Sequence, residues 1–233
     1  MSKDKESHLR LIKEYFAKLK PEAEIIEYEV LQGGISGSYT YRINLASEQV
    51  VLKVTMSGAE SYVFQRAQRE AAFYQDLADR IPLSVPHVLS IHTDDVHGIY
   101  LLLAAYQPSP PPAKWDEARY IEMAQQLGRF HATFWDKTDT LTEFHWLRRR
   151  EQESIDTEIQ SAYSYWQNLK KEQRFENVLT ARYYRLVHEL LEQIKDIESV
   201  IQSLPLALCH GDCHIDNLLE DSSGNLIWTI RGT

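Results

Sequence analysis

The sequence predicts an α+β fold, in which an antiparallel sheet that carries one helix precedes a mainly helical region. Three observations support this prediction. Residues 25–105 contain five short runs rich in β-branched and aromatic residues, a proline-rich segment follows them, and the rest of the chain has apolar residues at helical spacing. A chain of 233 residues can also bury a substantial core, in one or two domains.

The first part of the chain predicts two helices and five strands. Residues 8–19 have the amphipathic pattern of a short helix that ends before Pro21. Positions of one face recur at steps of three and four from about Ala59 to Asp79, which predicts a helix between the third and fourth strands. The five predicted strands are Ile25–Leu31, Tyr39–Leu45, Val50–Met56, Val88–His92 and Ile99–Ala105.

A proline-rich stretch, Gln107–Pro112, predicts a stiff connector, and we place the boundary between two lobes there. Residues 1–106 are then expected to form the N-terminal lobe and residues 107–233 the C-terminal lobe. The helices and short strands predicted in the second lobe are, in order, Trp115–Phe134, Ser154–Lys170, Val178–Ile201, Leu218–Leu219 and Leu226–Ile230.

The last of these helices carries an unbroken stripe of apolar side chains. Its members recur at helical spacing: Leu179, Tyr183, Leu186, Leu190, Ile194, Ile197 and Ile201. A stripe at this spacing supports the prediction of a helix here.

Composition and charge narrow the class of partner. The net charge of −9 argues against nucleic acid or an anionic membrane, because both require clustered Lys and Arg, and it suits a cationic small molecule. The N-terminus lacks the apolar segment of a signal peptide, and no run of about 18 apolar residues predicts a membrane span. The two cysteines, Cys209 and Cys213, have only three residues between them, so we expect reduced thiols and a cytoplasmic protein.

Glycines are concentrated between the first two predicted strands, in the segment Gly33-Gly34-Ile35-Ser36-Gly37. The backbone of such a segment can approach phosphate oxygens and direct its N–H groups at them. A flexible hairpin turn is the alternative, and the motif considered alone favours it. The segment is not a Walker A loop, because no Gly-Lys-Ser/Thr follows.

Two charged residues occupy positions where charge is costly. Lys53 lies inside an apolar strand, and Glu70 lies on the apolar face of the helix that follows. An ion pair between them explains both positions, and it would hold the lysine where it can bind phosphate oxygens. In the alternative, Lys53 lies on an exposed strand face and Glu70 at the edge of the helix stripe.

The strongest chemical signal is the segment from His210 to Leu219. Asp212 can orient or deprotonate a substrate hydroxyl, and Asn217 can offer a carbonyl oxygen to Mg²⁺. Two alternatives stay open, a purely structural turn and a transition-metal site. The candidate ligands for such a metal are crowded into six residues, and they are Cys209, His210, Asp212, Cys213 and His214.

Taken together, these parts resemble the aminoglycoside phosphotransferase and choline kinase family, whose fold is similar to that of protein kinases. The glycine-rich hairpin, the Val-Leu-Lys strand, the helix glutamate and the His-Gly-Asp-x-His-x-x-Asn segment occur in the family's order, and Leu-Gly-Arg-Phe-His-Ala at 127–132 is also typical of it. The resemblance covers about residues 25–230. It implies an ATP-dependent phosphotransferase that uses Mg²⁺ and acts on a hydroxyl group of a small molecule.

The resemblance also assigns residues to nucleotide binding. The glycine-rich loop would cover the ATP phosphates, and Lys53 would contact the α- and β-phosphates while Glu70 fixes it. Residues around Leu103 to Tyr106 would line the adenine pocket. The loop positions that match the family's phosphate-binding residues are Gly33, Gly34, Ser36, Gly37 and Ser38.

By the same resemblance, the later segment performs catalysis. Asp212 would be the catalytic base, and Asn217 would bind one Mg²⁺. His210 and His214 would support the segment through hydrogen bonds.

The chain departs from the family pattern near its end. The pattern places a metal-binding aspartate 13 or 14 residues after Asn217, but Ile230 and Arg231 stand there. The family also continues with further helices that complete the C-terminal lobe, so we expect a C-terminally truncated lobe here. The alternative function is therefore a catalytically inactive, nucleotide-binding or fragment protein of kinase-like fold.

Overall fold

The computed structural model describes residues 9–16, 22–31, 38–94, 96, 98–148, 155–169, 171 and 180–230. Within these ranges the chain forms five α-helices and two antiparallel sheets, which is the α+β class that the sequence predicts. None of the described helices is both long and apolar enough to cross a lipid bilayer.

The larger sheet has five strands in the order β1-β2-β3-β5-β4, and every neighbouring pair is antiparallel. The strands lie within a few residues of their predicted positions because β-branched runs and turn residues mark their ends clearly. Their bounds are Ile25–Val30 for β1, Tyr39–Leu45 for β2, Gln49–Met56 for β3, Val88–Asp94 for β4 and Gly98–Ala104 for β5.

The two faces of this sheet have different roles. One face packs on α1, which is helical at residues 9–16, and their common core is Ile12, Tyr15, Phe16, Tyr41, Ile43, Leu45, Val50, Leu52, Val54 and Leu102. Because side chains alternate along a strand, the residues between these positions point to the other face. Lys53 is one of them, and its side chain therefore lies on the side opposite α1.

Helix α2, Ser61–Asp76, packs against the sheet strands β3, β4 and β5. The buried residues of α2 include Glu70 among apolar side chains such as Ala67 and Phe73. The helix ends three residues earlier than predicted, because the chain continues as a short 3₁₀ turn at Ala78–Arg80. The predicted buried face of α2 is therefore confirmed, but the predicted last residues of the helix are wrong.

The second part of the chain contains three helices, which lie close to their predicted ranges. Helix α3, Glu117–Phe134, begins at Asp116, whose carboxylate accepts the N–H of Arg119 at 2.9 Å in an N-cap bond. Helices α4, Ile155–Leu169, and α5, Ala181–Gln202, pack on each other.

The smaller sheet joins the proline-rich segment to the end of the chain. Its strands are β6, Gln107–Pro108, β7, Leu218–Glu220, and β8, Leu226–Trp228. The sequence predicts β7 and β8 but treats the residues of β6 only as connector. A two-residue edge strand that contains proline has no sequence pattern of its own, and its pairing with β7 is decided by tertiary contact.

A second core joins the two parts of the chain. It contains residues of α2, β5, α3, β7 and β8, among them Phe73, Leu77, Leu101, Leu103, Phe130, Phe134, Leu218, Leu226 and Trp228. Trp228 is fully buried, and its indole N–H donates to Gln126 Oε1 of α3 at 2.7 Å. This core fixes α2 and the β7–β8 hairpin relative to each other, and these elements carry the candidate site residues.

Most of the apolar stripe of α5 is exposed to solvent. Five stripe residues are 38–53% exposed, and they are Tyr183, Leu186, Leu190, Ile197 and Ile201. The buried positions of the helix are instead Leu191 and Glu198, which lie beside the stripe. Leu179 falls outside the described residues. Periodicity identifies an apolar face, but it does not supply the element that would cover it.

Candidate functional site

A cavity of about 480 Å³ lies between the larger sheet, α2, the proline-rich segment and the start of β7. Apolar side chains from these elements form much of its wall. Its charged lining residues are Arg42, Lys53, Arg66, Glu70 and Asp216. The cavity therefore combines an apolar wall with a few charged groups, which is typical of a small-molecule site.

The ion pair between Lys53 and Glu70 is present in this cavity. The ammonium group of Lys53 contacts both carboxylate oxygens of Glu70, and the side chains are 21% and 10% exposed. The pair joins β3 to α2 across the cavity wall. Each charge compensates for the removal of the other from water, which explains a lysine and a glutamate at otherwise apolar positions.

The glycine-rich segment lies outside the described residues, and with it Gly33, Gly34, Ser36 and Gly37. Both residues that flank the undescribed part, Leu31 and Ser38, line the cavity. The Ser38 hydroxyl lies 2.5 Å from the hydroxyl of Thr55. Both residues that border the undescribed loop therefore lie at the cavity.

The segment Leu103–Tyr106 forms the opposite end of the cavity. Leu103, Ala104 and Tyr106 line it, and the Tyr106 hydroxyl accepts the N–H of His87 at 3.3 Å. The N–H of Ala104 donates to the His87 carbonyl oxygen at 2.9 Å. These bonds hold the segment against His87, which immediately precedes β4. Leu103 and Ala104 give this part of the cavity an apolar wall.

Asp212 and Asn217 are hydrogen-bonded to each other. The Asn217 side chain is fully buried, and its Nδ2 donates to the backbone oxygen of Asp212 at 2.7 Å and to Asp212 Oδ2 at 2.9 Å. Nε2 of His214 lies 3.2 Å from Asp212 Oδ1. Gly211, with φ of 80°, supplies the left-handed conformation at this turn. Asn217 and His214 thus fix the direction of the Asp212 carboxylate.

His210 connects this turn to the segment that follows β8. Its Nε2 donates to the Thr229 carbonyl oxygen at 3.0 Å, and its Nδ1 accepts the N–H of Asp212 at 3.4 Å. These partners require the neutral tautomer with the proton on Nε2. Burial lowers the pKa of His210 and favours the same neutral form.

Three residues of the site were not identified from the sequence, and they are Arg42, Arg66 and Thr229. Thr229 donates its N–H to the Asn217 carbonyl oxygen at 2.9 Å and lines the cavity. No sequence motif marks Thr229 or Arg42 as a site residue. Arg66 had one available signal, because it lies four residues before Glu70 and hence one helical turn away on the same face.

Asp212 and Asn217 do not themselves line the cavity, although their neighbours do. The lining residues in this segment are Ile215, Asp216 and Leu218. The cavity and the Asp212 carboxylate are therefore adjacent but separate features.

The donor set around Asn217 does not fit a tightly held Mg²⁺. Its Nδ2 is directed at Asp212, and its Oδ1 lies 3.5 Å from the Thr229 hydroxyl. Mg²⁺ prefers carboxylates, but Ile230 and Arg231 follow Thr229. Asp212 is thus the single carboxylate bonded to Asn217 among the described residues.

The described residues also contain no group of three or more His, Cys, Asp or Glu side chains that could hold a metal ion. The transition-metal alternative for this segment is therefore wrong. Cys209 and Cys213 are exposed free thiols, and His210 is directed at backbone groups.

A family model described as "phosphotransferase enzyme family" matches residues 27–227. No curated protein matches the sequence. The family match covers the larger sheet except for the first two residues of β1, most of the cavity lining, and the segment that contains Asp212 and Asn217.

Solved structures resemble the chain over nearly its whole length. Wild-type aminoglycoside 2'-phosphotransferase-IIIa in complex with GDP superposes with a TM-score of 0.68 at 13% identity, over 96% of this chain and 72% of that chain. The GDP and kanamycin complex of APH(2")-IIIa gives 0.64 at 15% identity, over 96% and 71%. Spectinomycin phosphotransferase APH(9)-Ia, in complex with ADP and spectinomycin, gives 0.58 at 14% identity, over 94% and 67%. At these identities the likeness shows a common kinase-like fold.

Proposed function

The chain belongs to the phosphotransferase enzyme family, and we propose that it transfers the terminal phosphoryl group of ATP to a hydroxyl group of a small molecule. The observation that carries the proposal is the Lys53–Glu70 ion pair in the wall of a cavity of about 480 Å³, next to the segment that contains Asp212. A paired lysine beside a cavity is suited to binding phosphate oxygens. We propose a cytoplasmic location, because ATP is supplied there.

The proposed nucleotide site extends from the glycine-rich loop to Tyr106. Lys53 would bind the α- and β-phosphates, and Glu70 would keep its ammonium group in place. The base would lie against Leu103–Tyr106, whose apolar side faces the cavity. The loop residues Gly33, Gly34, Ser36, Gly37 and Ser38 would cover the phosphates through their backbone N–H groups.

In the proposed reaction, Asp212 is the catalytic base. Its carboxylate accepts the proton of the acceptor hydroxyl while that oxygen bonds to the γ-phosphorus of ATP. The bond between the γ-phosphorus and the β–γ bridging oxygen breaks, and ADP leaves. Asn217 and His214 keep the carboxylate oriented, and His210 fixes the turn from the other side.

The acceptor is proposed to be a cationic small molecule. The chain has a net charge of −9, and related folds were solved with kanamycin and spectinomycin. Mg²⁺ with ATP is what the family resemblance implies, and it would neutralise phosphate charge when bound. We assign no step of the reaction to Mg²⁺, because among the described residues Asn217 is hydrogen-bonded to a single carboxylate, that of Asp212.

A catalytically inactive nucleotide-binding protein is the second candidate. Ile230 and Arg231 favour it, because neither can replace a metal-binding carboxylate at that position.

Phosphate transfer from γ-labelled ATP to kanamycin, spectinomycin and choline tests the first candidate. Transfer is expected with the wild-type chain and is expected to disappear in Asp212→Asn. The matched control is Asp196→Asn, since Asp196 is exposed on α5. If ATP binds but no acceptor is labelled above the Asp212→Asn level, the second candidate holds instead.

A further inference from the structure

The proline-rich connector and strand β7, which pairs with it, contribute one wall of the cavity. The lining residues from these two elements are Pro108, Ser109, Pro111, Pro112, Leu218 and Leu219. Among these described residues only Ser109 has a polar side chain, and the prolines also lack a backbone N–H. The polar side-chain group that a ligand meets on this wall is therefore the Ser109 hydroxyl.

The hydroxyl proton of Ser109 is already used within the protein. Gln107 lies opposite Glu220 in the β6–β7 pair, so Ser109, two residues later, is a diagonal neighbour of Glu220 on the same face. Ser109 Oγ donates to Glu220 Oε1 at 2.9 Å. A carboxylate only accepts hydrogen bonds, whereas a serine hydroxyl has one proton and two lone pairs. The remaining hydrogen-bonding capacity of the Ser109 hydroxyl is therefore that of an acceptor.

Glu220 is itself held by Arg119, in the first turn of α3. One N–H group of the guanidinium contacts the Glu220 carboxylate, and another donates to Glu122 at 2.9 Å. The side chains of Arg119 and Glu220 are only 17% and 20% exposed. Because a charge-assisted bond of this kind is strong and directional, Arg119 fixes the carboxylate to which Ser109 donates.

The start of α3 also holds the connector beyond Ser109. The indole N–H of Trp115 donates to the Pro110 carbonyl oxygen at 2.8 Å, and the Tyr120 hydroxyl donates to the Pro112 carbonyl oxygen at 3.1 Å. On the other side, the N–H of Ser109 donates to the Leu218 carbonyl oxygen at 3.1 Å. Ser109 thus has a fixed backbone as well as a fixed hydroxyl proton.

We propose that the Ser109 oxygen accepts a hydrogen bond from a ribose hydroxyl of the bound nucleotide, with Arg119 and Glu220 as positioning residues. The inference rests on the proposed function, because it concerns the same nucleotide site. In that site the base lies against Leu103–Tyr106, and Ser109 follows Tyr106 by three residues, a span of at most about 11 Å. The ribose is attached directly to the base, and its hydroxyl groups supply the donor that Ser109 requires.

Calorimetric titration of the full chain with ADP, 2′-deoxy-ADP and 3′-deoxy-ADP tests the inference. We expect at least one deoxy analogue to bind about fivefold more weakly than ADP, because it lacks the donor of one hydrogen bond. Ser109→Ala should weaken ADP binding by the same factor and remove the difference between ADP and that analogue. Ser222→Ala is the matched control, because Ser222 is exposed in the turn after β7 and should leave the affinities unchanged.

The positioning role is tested by the ratio of the affinities for ADP and for the weaker analogue. Glu220→Ala frees the Ser109 hydroxyl to rotate and should lower this ratio toward one, although Glu220 is not among the residues that line the cavity. Glu220→Gln keeps a carbonyl oxygen for Ser109 and should retain part of the ratio. Glu122→Ala is the matched control, because it removes the other carboxylate bonded to Arg119 and should keep the wild-type ratio. A loss of stability alone does not change the ratio, since both ligands bind the same folded protein.

The possible failures are distinguishable. Equal affinities of the wild-type chain for ADP and both deoxy analogues would overturn the inference and leave the proposed function in place. A wild-type ratio in Ser109→Ala would overturn the role of Ser109. A wild-type ratio in Glu220→Ala would overturn the positioning role, and if that variant does not fold, a wild-type ratio in Arg119→Gln would overturn it equally. If ADP does not bind at all, the proposed nucleotide site itself is wrong, and the inference fails with it.

Discussion

Strand β3 of the larger sheet and helix α5 each carry a regular apolar pattern, with a period of about two in the strand and about 3.6 in the helix, but the two patterns have opposite outcomes. On β3, Val50, Leu52 and Val54 are 0% exposed, whereas Leu190 and Val200 on α5 are 53% and 62% exposed. The sheet residues are covered by α1, and the α5 stripe has no covering element among the described residues. The difference shows that a regular apolar pattern stabilises the fold only where a second apolar surface packs against it.

This contrast also separates the functional part of the molecule from the rest. The cavity, the ion pair and the Asp212 segment rest on the two well-packed cores. Few of the described side chains of α4 and α5 are buried, so local opening should be easiest there.

The largest effect should come from a matched pair of leucine truncations. Leu52→Ala removes a fully buried side chain and should lower the free energy of unfolding by about 2–5 kcal/mol. Leu190→Ala makes the same chemical change at a 53% exposed site and should cost under about 0.5 kcal/mol. Urea denaturation of both variants measures the difference. Equal losses would mean that the α5 stripe is covered after all.

The Lys53–Glu70 pair should come next. Glu70→Gln leaves the Lys53 charge in a mostly buried site, and we expect a loss of about 2 kcal/mol, below the value for full burial because Lys53 is 21% exposed. The double variant with Lys53→Met should recover part of it. A thermodynamic cycle from chemical denaturation measures the coupling, and a coupling near zero would show that the pair does not join β3 to α2.

The Gln126–Trp228 bond tests how α3 holds β8. Gln126→Leu leaves the buried indole N–H of Trp228 without its acceptor and should cost about 1–3 kcal/mol. The control is Gln65→Leu on α2, since Gln65 is exposed and its side chain donates to Ser61 at 3.5 Å, a weak bond. Thermal unfolding followed by tryptophan fluorescence compares the two. A cost for Gln126→Leu no larger than that of the control would contradict the bond's contribution.

The smallest effect should be a pH dependence from His210. Its folded-state pKa is lowered by burial, so the unfolded state binds a proton first as the pH falls. Stability is fully present above the unfolded pKa of about 6.5 and is lost as the pH falls from there through the lowered folded-state pKa. His210→Asn should remove this part of the dependence, as seen in denaturation curves between pH 7.5 and 5.

His188→Asn is the control for that measurement, because the His188 side chain is 59% exposed. A pH dependence that is identical in the His210 variant and the wild type would show that His210 does not titrate differently in the two states.

The amino-acid sequence by itself determined most of the local structure. Strand and helix positions, the glycine-rich segment and the pairing of Lys53 with Glu70 follow from periodicity and from the cost of isolated charge in apolar surroundings. Most of these signals come from short stretches of sequence. The pairing comes instead from two charged residues, Lys53 and Glu70, that both occupy apolar positions and account for each other.

Only the tertiary structure decided the remaining features. The pairing of β6 with β7, the place of Arg66 in the cavity wall and the bonds of Thr229 join segments far apart in the chain. The exposure of the α5 stripe also depends on what packs against it. In each case the physical reason is the same, because the sequence of one segment does not specify which distant surface packs against it.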